Sequence, residues 1–135
     1  MRYLAVDIGG RRTGFAIGER ELGMVQPLNV VEHPHEEAML LAVDAAIAEH
    51  GPDELVIGLP LNMDDSEGPA ARNAHRLAEA LRERTGLEVH LQDERLTSFE
   101  ADARMAQSGR THAGKKRIRD AIAAAALLED FIART

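Results

Sequence analysis

Residues 3 to 18 read Tyr3-Leu4-Ala5-Val6-Asp7-Ile8-Gly9-Gly10-Arg11-Arg12-Thr13-Gly14-Phe15-Ala16-Ile17-Gly18, two short apolar runs joined by a glycine-rich turn. The first, Tyr3 to Ile8, is almost continuously apolar, as a strand buried on both faces is, and it ends next to an acid. The second, Thr13 to Gly18, follows after a four-residue turn, so the pair forms an antiparallel hairpin. Met24 to Val31 extends this into a three-stranded meander, and Pro27, which cannot donate to a ladder, places that third strand at an edge. Beyond it the pattern changes. Glu36 to His50 carries Ala38, Leu41, Ala42, Ala45 and Ala48 at helical spacing and stops at Gly51-Pro52. Strands at Leu55 to Leu59 and Leu87 to Leu91 alternate with a helix over Gly68 to Thr85 that Gly86 closes, an alternation that makes the later strands parallel. Thr97-Ser98-Phe99-Glu100 has the form of a capping box and opens a helix closed by Gly109. Arg110 to Gly114 reads as a loop, and a last helix runs from about Lys115 to Ala133. The order β-β-β-α-β-α-β-α-α predicts an α/β fold: one domain over residues 1–135, with a five-stranded mixed sheet flanked by helices.

Composition narrows the chemistry. Sixteen Lys and Arg against 23 Asp and Glu give 135 residues a formal charge of −7, which argues against holding a polyanion by bulk charge. Aromatic residues are 3% of the chain, too few for a platform that stacks single-stranded bases. Cysteine is absent, which removes disulfides, thiolate nucleophiles and Cys-ligated zinc and fits a reducing compartment. The N-terminal run meets Asp7 too early for a signal peptide, and no apolar run approaches the ~18 residues of a membrane span. These features lead to the expectation of a soluble cytoplasmic protein with no membrane partner.

Three acidic positions stand in apolar surroundings, where an uncompensated charge costs several kcal/mol. Asp7 ends the first strand. Asp93 and Glu94 end the strand containing Val89-His90-Leu91, and as neighbours they point in different directions, so one of the two faces any common site. Asp120 lies on the last helix, with Ala124, Leu127 and Phe131 within about 40° of it at 100° per residue, and so heads an inward stripe. Convergence of Asp7, one of Asp93 and Glu94, and Asp120 would suit a hard cation such as Mg²⁺, which takes oxygen ligands and leaves positions open for water and phosphate. The plainer alternative is local: a turn cap, a helix cap and an ion pair with Lys116 or Arg117. A second constellation is basic. Residues 103–119 hold Arg104, Arg110, Lys115, Lys116, Arg117 and Arg119 with no acid, a local balance of +6 against −13 for the rest of the chain. Such a strip at a helix start is placed against the helix macrodipole, and an external anion would offset it, as nucleic-acid phosphates do. The Asp7-to-Gly14 loop could also approach a phosphate closely. His33-Pro34-His35 reads as a surface loop, and no serine has a histidine at a spacing that suggests a hydrolase.

Val6-Asp7-Ile8-Gly9 with Arg12 and Gly14, Ile57-Gly58-Leu59-Pro60-Leu61-Asn62-Met63-Asp64, Asp93-Glu94-Arg95-Leu96-Thr97-Ser98, and Lys115-Lys116 with Asp120 and Ala123-Ala124 together resemble the YqgF family, also called RuvX or Holliday-junction-resolvase-like proteins. The resemblance spans almost the whole chain. It implies a ribonuclease H-like fold and a cytoplasmic nuclease that processes the 5′ end of pre-16S rRNA. Carried over by position, Asp7, Glu94 and Asp120 become the catalytic and metal-holding acids, with Mg²⁺ or Mn²⁺ as cofactor. In that picture Asp7 bridges two ions while Glu94 and Asp120 complete one shell each. Arg11, Arg12, Arg95, Arg110, Lys115, Lys116, Arg117 and Arg119 are the expected contacts to RNA or to structured DNA, made by a monomer or a homodimer. Asp65 stands where the family often has Gly, Ser98 where it often has Thr, and Asn62 where many ribonuclease H-like enzymes have an acid. Two other functions remain to be weighed: a non-catalytic ribosome-assembly module, and a phosphotransferase of the actin-like kinase type, which needs two such domains.

Overall fold

The N-terminal apolar run forms β1 (Arg2–Ile8) in a computed structural model that describes residues 1–94 and 112–134, with side chains for 1–94 and 120–134. β1 pairs antiparallel with β2 (Arg12–Glu19), and β2 with β3 (Met24–Glu32), so Asp7 lies opposite Gly14. A bulge between Gly14 and Ala16 breaks the β2–β3 register beside Pro27. Next come α1 (Glu36–His50), β4 (Glu54–Leu59), α2 (Pro69–Thr85), β5 (Glu88–Asp93) and α3 (His112–Arg134). The sheet order is β3-β2-β1-β4-β5, with β4 parallel to both β1 and β5. A three-stranded antiparallel meander continued by two parallel strands is the ribonuclease H-like arrangement, and β3 takes the edge that Pro27 dictates.

Alternation of side chains divides the core. Leu4, Val6, Phe15, Leu55, Ile57 and Val89 face α1 and α2, which supply Met39, Val43, Leu77 and Leu81. Tyr3, Ala5, Ala16 and Val56 face α3, which supplies Ala124, Leu127, Leu128 and Phe131. Each large side chain buried there is worth roughly 1.5–3 kcal/mol. Small residues on β2 let α3 lie close. A Cβ added to Gly14 would overlap the Asp120 carbonyl, and one added to Gly18 would come within 2.9 Å of Leu128 Cδ2. Residues 123–128 are buried on every side of α3, a wider contact than the single stripe through Ala124 and Leu127.

Two expectations are corrected. The stripe on α1 is rotated: Met39, Leu40, Val43 and Ala46 are buried while Leu41 is 55% exposed, because the larger side chains set the face and the alanines do not. The last helix starts at His112, so residues 112–114 are helical instead of loop. The helix expected over Thr97 to Gly109 lies outside the described residues, as does the start of the expected loop at Arg110. Among the described residues no helix is long and apolar enough to cross a membrane.

Candidate active site

Asp7 follows Tyr3 and Ala5 on the face of β1 that meets α3, so its carboxylate is directed to the same side as Asp120. Glu94 comes one residue after β5, and its N–H donates to the Leu59 carbonyl at 3.3 Å, which keeps it in register with the end of β4. Along β5 the side chain of His90 stacks on Phe131 of α3, with ring centroids 4.9 Å apart, and by alternation Gln92 and Glu94 share that face. Asp93 points to the other side of the sheet. The Glu94 side chain then lies across β4 at Gly58, filling the space a side chain would take. A Cβ added to Gly58 would be 3.0 Å from Glu94 Cδ and closer still to Oε2. Gly58 therefore gives Glu94 its route toward Asp7.

Asp7 lies within electrostatic reach of the other two acids. Burial, then the charge of Glu94, then that of Asp120, push the Asp7 carboxyl up to about 7. Glu94 is raised by burial and by Asp93. Asp120 faces Arg12, whose Nε is 3.2 Å from Oδ2. Among the described residues no group of three or more His, Asp and Glu side chains is arranged to hold a metal ion as it stands. The acids couple through space without forming a closed cage.

Arg11 and Arg12 sit in the β1–β2 turn, where Gly9 N–H donates to the Arg12 carbonyl at 2.9 Å. With Gly9, Gly10, Glu32, His33 and Asp120 they line a cleft of about 660 Å³, within the range that holds organic ligands, while Glu94 lines a separate cavity with Gly58 and Leu77. Lys115, Lys116, Arg117 and Arg119 fall in the first turns of α3, whose backbone is described and whose side chains there are not. Arg95, Arg104 and Arg110 lie outside the described residues, with Ser98.

His33 is not part of a surface loop. It is 6% exposed, its N–H donates to the Arg11 carbonyl at 2.8 Å, and its Nε2 is 2.8 Å from the buried Thr13 Oγ1. His35 caps α1, its Nδ1 accepting from Ala38 N–H at 3.1 Å. The sequence signal for His33 was its position directly after β3, opposite the start of β2. Asp65 has φ 70°, the left-handed region in which glycine is comfortable, within a turn where Asp64 accepts from the Ser66 N–H and hydroxyl. Asn62 belongs to that turn, its amide donating to Ser66 Oγ at 3.0 Å.

A protein of Anaeromyxobacter sp. (strain Fw109-5) designated a pre-16S rRNA nuclease is 42% identical to this chain over 132 residues, 98% of this chain and 96% of that protein. The fowlpox virus resolvase, solved with its Holliday junction DNA substrate, matches 99% of this chain and 98% of its own length at TM-score 0.62 and 12% identity. A ROK family protein from Streptococcus pneumoniae TIGR4 matches 81% of this chain at TM-score 0.53 and 21% identity, and this chain spans only 39% of that protein. At such identities the two structures show the fold alone. The chain spans nearly all of the resolvase and well under half of the ROK protein. By motif order, by fold and by a family model, described as Holliday junction resolvase, that matches residues 1–134, the chain belongs to the RuvX family.

Proposed function

We propose that this chain is a cytoplasmic, divalent-cation-dependent nuclease that hydrolyses phosphodiester bonds in processing the 5′ end of pre-16S rRNA. The observation that carries the reading is that the buried Asp7 carboxyl, at the end of β1, lies within electrostatic reach of both Glu94 and Asp120, which come from two other elements. Their donor chemistry fits a hard cation. Asp7 is held near neutrality by burial and by two like charges, a penalty that Mg²⁺ or Mn²⁺ would relieve. Asp7, Glu94 and Asp120 are the residues that would hold it. When bound, such an ion polarises a phosphoryl oxygen and acidifies water.

The chain's own groups do the rest. Gly9 and Gly10 leave the turn open to close approach by a phosphate, and Arg11 adds a charge at the same cleft. Arg95, Arg110, Lys115, Lys116, Arg117 and Arg119 would add contacts to the substrate's phosphates, which hold a backbone without reading its sequence. RNA named after the curated relatives is the preferred substrate. A DNA four-way junction is the second reading, favoured by the description of the family model, and would require a homodimer to match a two-fold substrate.

The test incubates the purified protein with a pre-16S leader RNA, a four-way DNA junction and single-stranded DNA, each with Mg²⁺, Mn²⁺ or EDTA. Cation-dependent cleavage of the RNA is expected, with Asp7→Asn slower by ~10³-fold or more. Undiminished cleavage by Asp7→Asn would sink the mechanism. Salt-sensitive binding without cleavage would instead mark a non-catalytic assembly module.

A further inference from the structure

β1 and β4 run parallel and side by side, and the chain leaves them in opposite directions, from β1 to β2 and from β4 through α2 to β5. The crevice at the C-terminal ends of such a pair is where open α/β sheets take ligands. Here it is a cavity of about 290 Å³, walled by Ile8 at the end of β1, Ile57 of β4, Pro60 just beyond it, and Ala74 and Leu77 of α2. Gly9 and Gly10 line both this cavity and the cleft that holds Arg11 and Arg12. No atom lies within 4 Å of the point where a Gly10 side chain would begin, so a ligand can pass over the turn from one to the other.

A charged cleft and an aliphatic slot that meet at a pair of glycines match the two parts of a nucleotide, a phosphate and a flat base with apolar faces. With aromatic residues at 3% of the chain, branched aliphatic side chains are what this protein has to cover a base. The slot also carries one oriented polar group. Asn73 lines it, and its Oδ1 accepts from Arg76 Nε at 3.0 Å and Nη2 at 2.8 Å. Arg76 is held in turn by Glu36 of α1. A guanidinium only donates, so the amide oxygen must face Arg76 and the N–H₂ is turned away from it. That N–H₂ takes no protein acceptor among the described residues.

We propose that this cavity receives one unpaired base of the substrate strand, from the nucleotide whose phosphate lies at the glycine turn, with Asn73 donating to an acceptor on the base edge. It rests on the reading of the protein as a nuclease and adds that the nucleotide at the cleavage point must be single-stranded or turned out of its helix, since a paired base cannot offer its faces and edge to a slot.

The probe is uridine 5′-monophosphate, whose uracil carbonyls accept, compared with ribose 5-phosphate, which lacks the base. Each is titrated into the isotope-labelled full chain in EDTA and again with Mg²⁺, followed by NMR. Wild type should bind the nucleotide about tenfold tighter or more, equivalent to about 1.4 kcal/mol, in both conditions. The nucleotide should shift the methyl signals of Ile8, Ile57 and Leu77 and the side-chain N–H₂ of Asn73, whereas ribose 5-phosphate should shift the glycine turn alone. Ala74→Leu, which fills the slot, should bring the two affinities within about twofold of each other. So should Asn73→Asp, which keeps an oxygen for Arg76 and removes the donors, and the comparison of two phosphates cancels its added charge. If Ala74→Leu fails to fold, judged by its melting curve, Ala70→Leu at the exposed rim takes its place. Equal affinities in wild type, binding of neither probe, or a preference for the nucleotide that survives either substitution would overturn the proposal. A base-dependent preference in a protein that cleaves nothing would uphold the base site and overturn the nuclease reading alone. Cation-dependent cleavage without that preference would do the reverse.

Discussion

Gly58→Ala adds one methyl group at a point where Glu94 is the nearest obstacle. The three nearest atoms to the added Cβ all belong to Glu94: its Oε2, its Cδ at 3.0 Å and its Cβ at 3.4 Å. Real Cβ atoms essentially never come closer than 3.0 Å to a neighbour, so something must move, and the far end of a flexible side chain moves most cheaply. The fold should hardly notice. Overpacking against a movable carboxylate is offset by about 0.4–1 kcal/mol from the lower chain entropy of alanine in the unfolded state, so Tm should shift by no more than about 4 °C. Function should notice strongly. Displacing Glu94 by about 1 Å from its place beside Asp7 is the scale of error that costs about 10²-fold in rate. The assay is kcat/KM for Mn²⁺-dependent cleavage of the leader RNA, with a melting curve on the same preparation. Since the methyl acts through Glu94, its effect in a Glu94→Gln background should be far smaller than in wild type. Cleavage at the wild-type rate by a folded Gly58→Ala protein would refute the reasoning, because Glu94 would then not need its lane across β4.

The same methyl at Gly14 should do the opposite, because there it meets backbone: Asp120 carbonyl carbon at 2.7 Å and Ala121 N at 3.2 Å. Gly14→Ala must push α3 off β2, at a cost of about 2 kcal/mol or more, seen as a fall in denaturation midpoint. Asp7, raised from 3.8 to about 7, binds a proton in the folded state that the unfolded chain has already released between those values. Stability of the cation-free protein should therefore decline as pH rises from about 4 to about 7 and then level off, by up to about 4 kcal/mol from Asp7, and Asp7→Asn should make the slope shallower while the raised Glu94 keeps its share. Guanidinium titrations in EDTA at pH 5 and pH 8 measure both. Asp65→Gly should raise stability by up to about 1 kcal/mol, since it relieves a left-handed backbone at φ 70°, and a lower denaturation midpoint would contradict that.

The architecture was legible because it rests on local signals: Pro27 for an edge, Gly51 and Gly86 for helix ends, and the switch from meander to alternation for parallel strands. Gly51 and Gly86 do take positive φ, at 59° and 73°, and close their helices as read. The phase of α1 was not legible by counting apolar letters, because alanine at Ala38, Ala45 and Ala48 carries too little burial energy to outvote Met39, Leu40 and Val43. The acids at strand ends could be picked out because a charge in apolar surroundings needs a reason. Their surroundings could not. Whether Asp93 or Glu94 meets Asp7 depends on where β5 stops, and a one-residue shift in register exchanges the faces. Arg12 and Asp120 meet only because β2 and α3 lie against each other, and His33 is buried only because the end of β3 folds back on the Arg11 carbonyl.

The site and the core draw on the same residues, which explains why positions that look dispensable are not. Gly14, Ala16 and Gly18 occupy alternate places on β2, and Asp120, Ala124 and Leu128 occupy every fourth place on α3. Two residues of strand advance about 6.7 Å and four of helix about 6 Å, so the two rows stay matched over their length. That match seats α3 and fixes the height of Asp120 above the sheet. Asp7 reaches the same level because it continues the row of Tyr3 and Ala5, the residues α3 covers. Burial and then the like charges raise the Asp7 pKa to about 7, a folding cost that is complete above that pH. The cost is tolerable because the helix that brings Asp120 close also buries Leu127, Leu128 and Phe131, at roughly 1.5–3 kcal/mol each. A helix held this firmly can keep an acid where water alone would not leave it, next to two others.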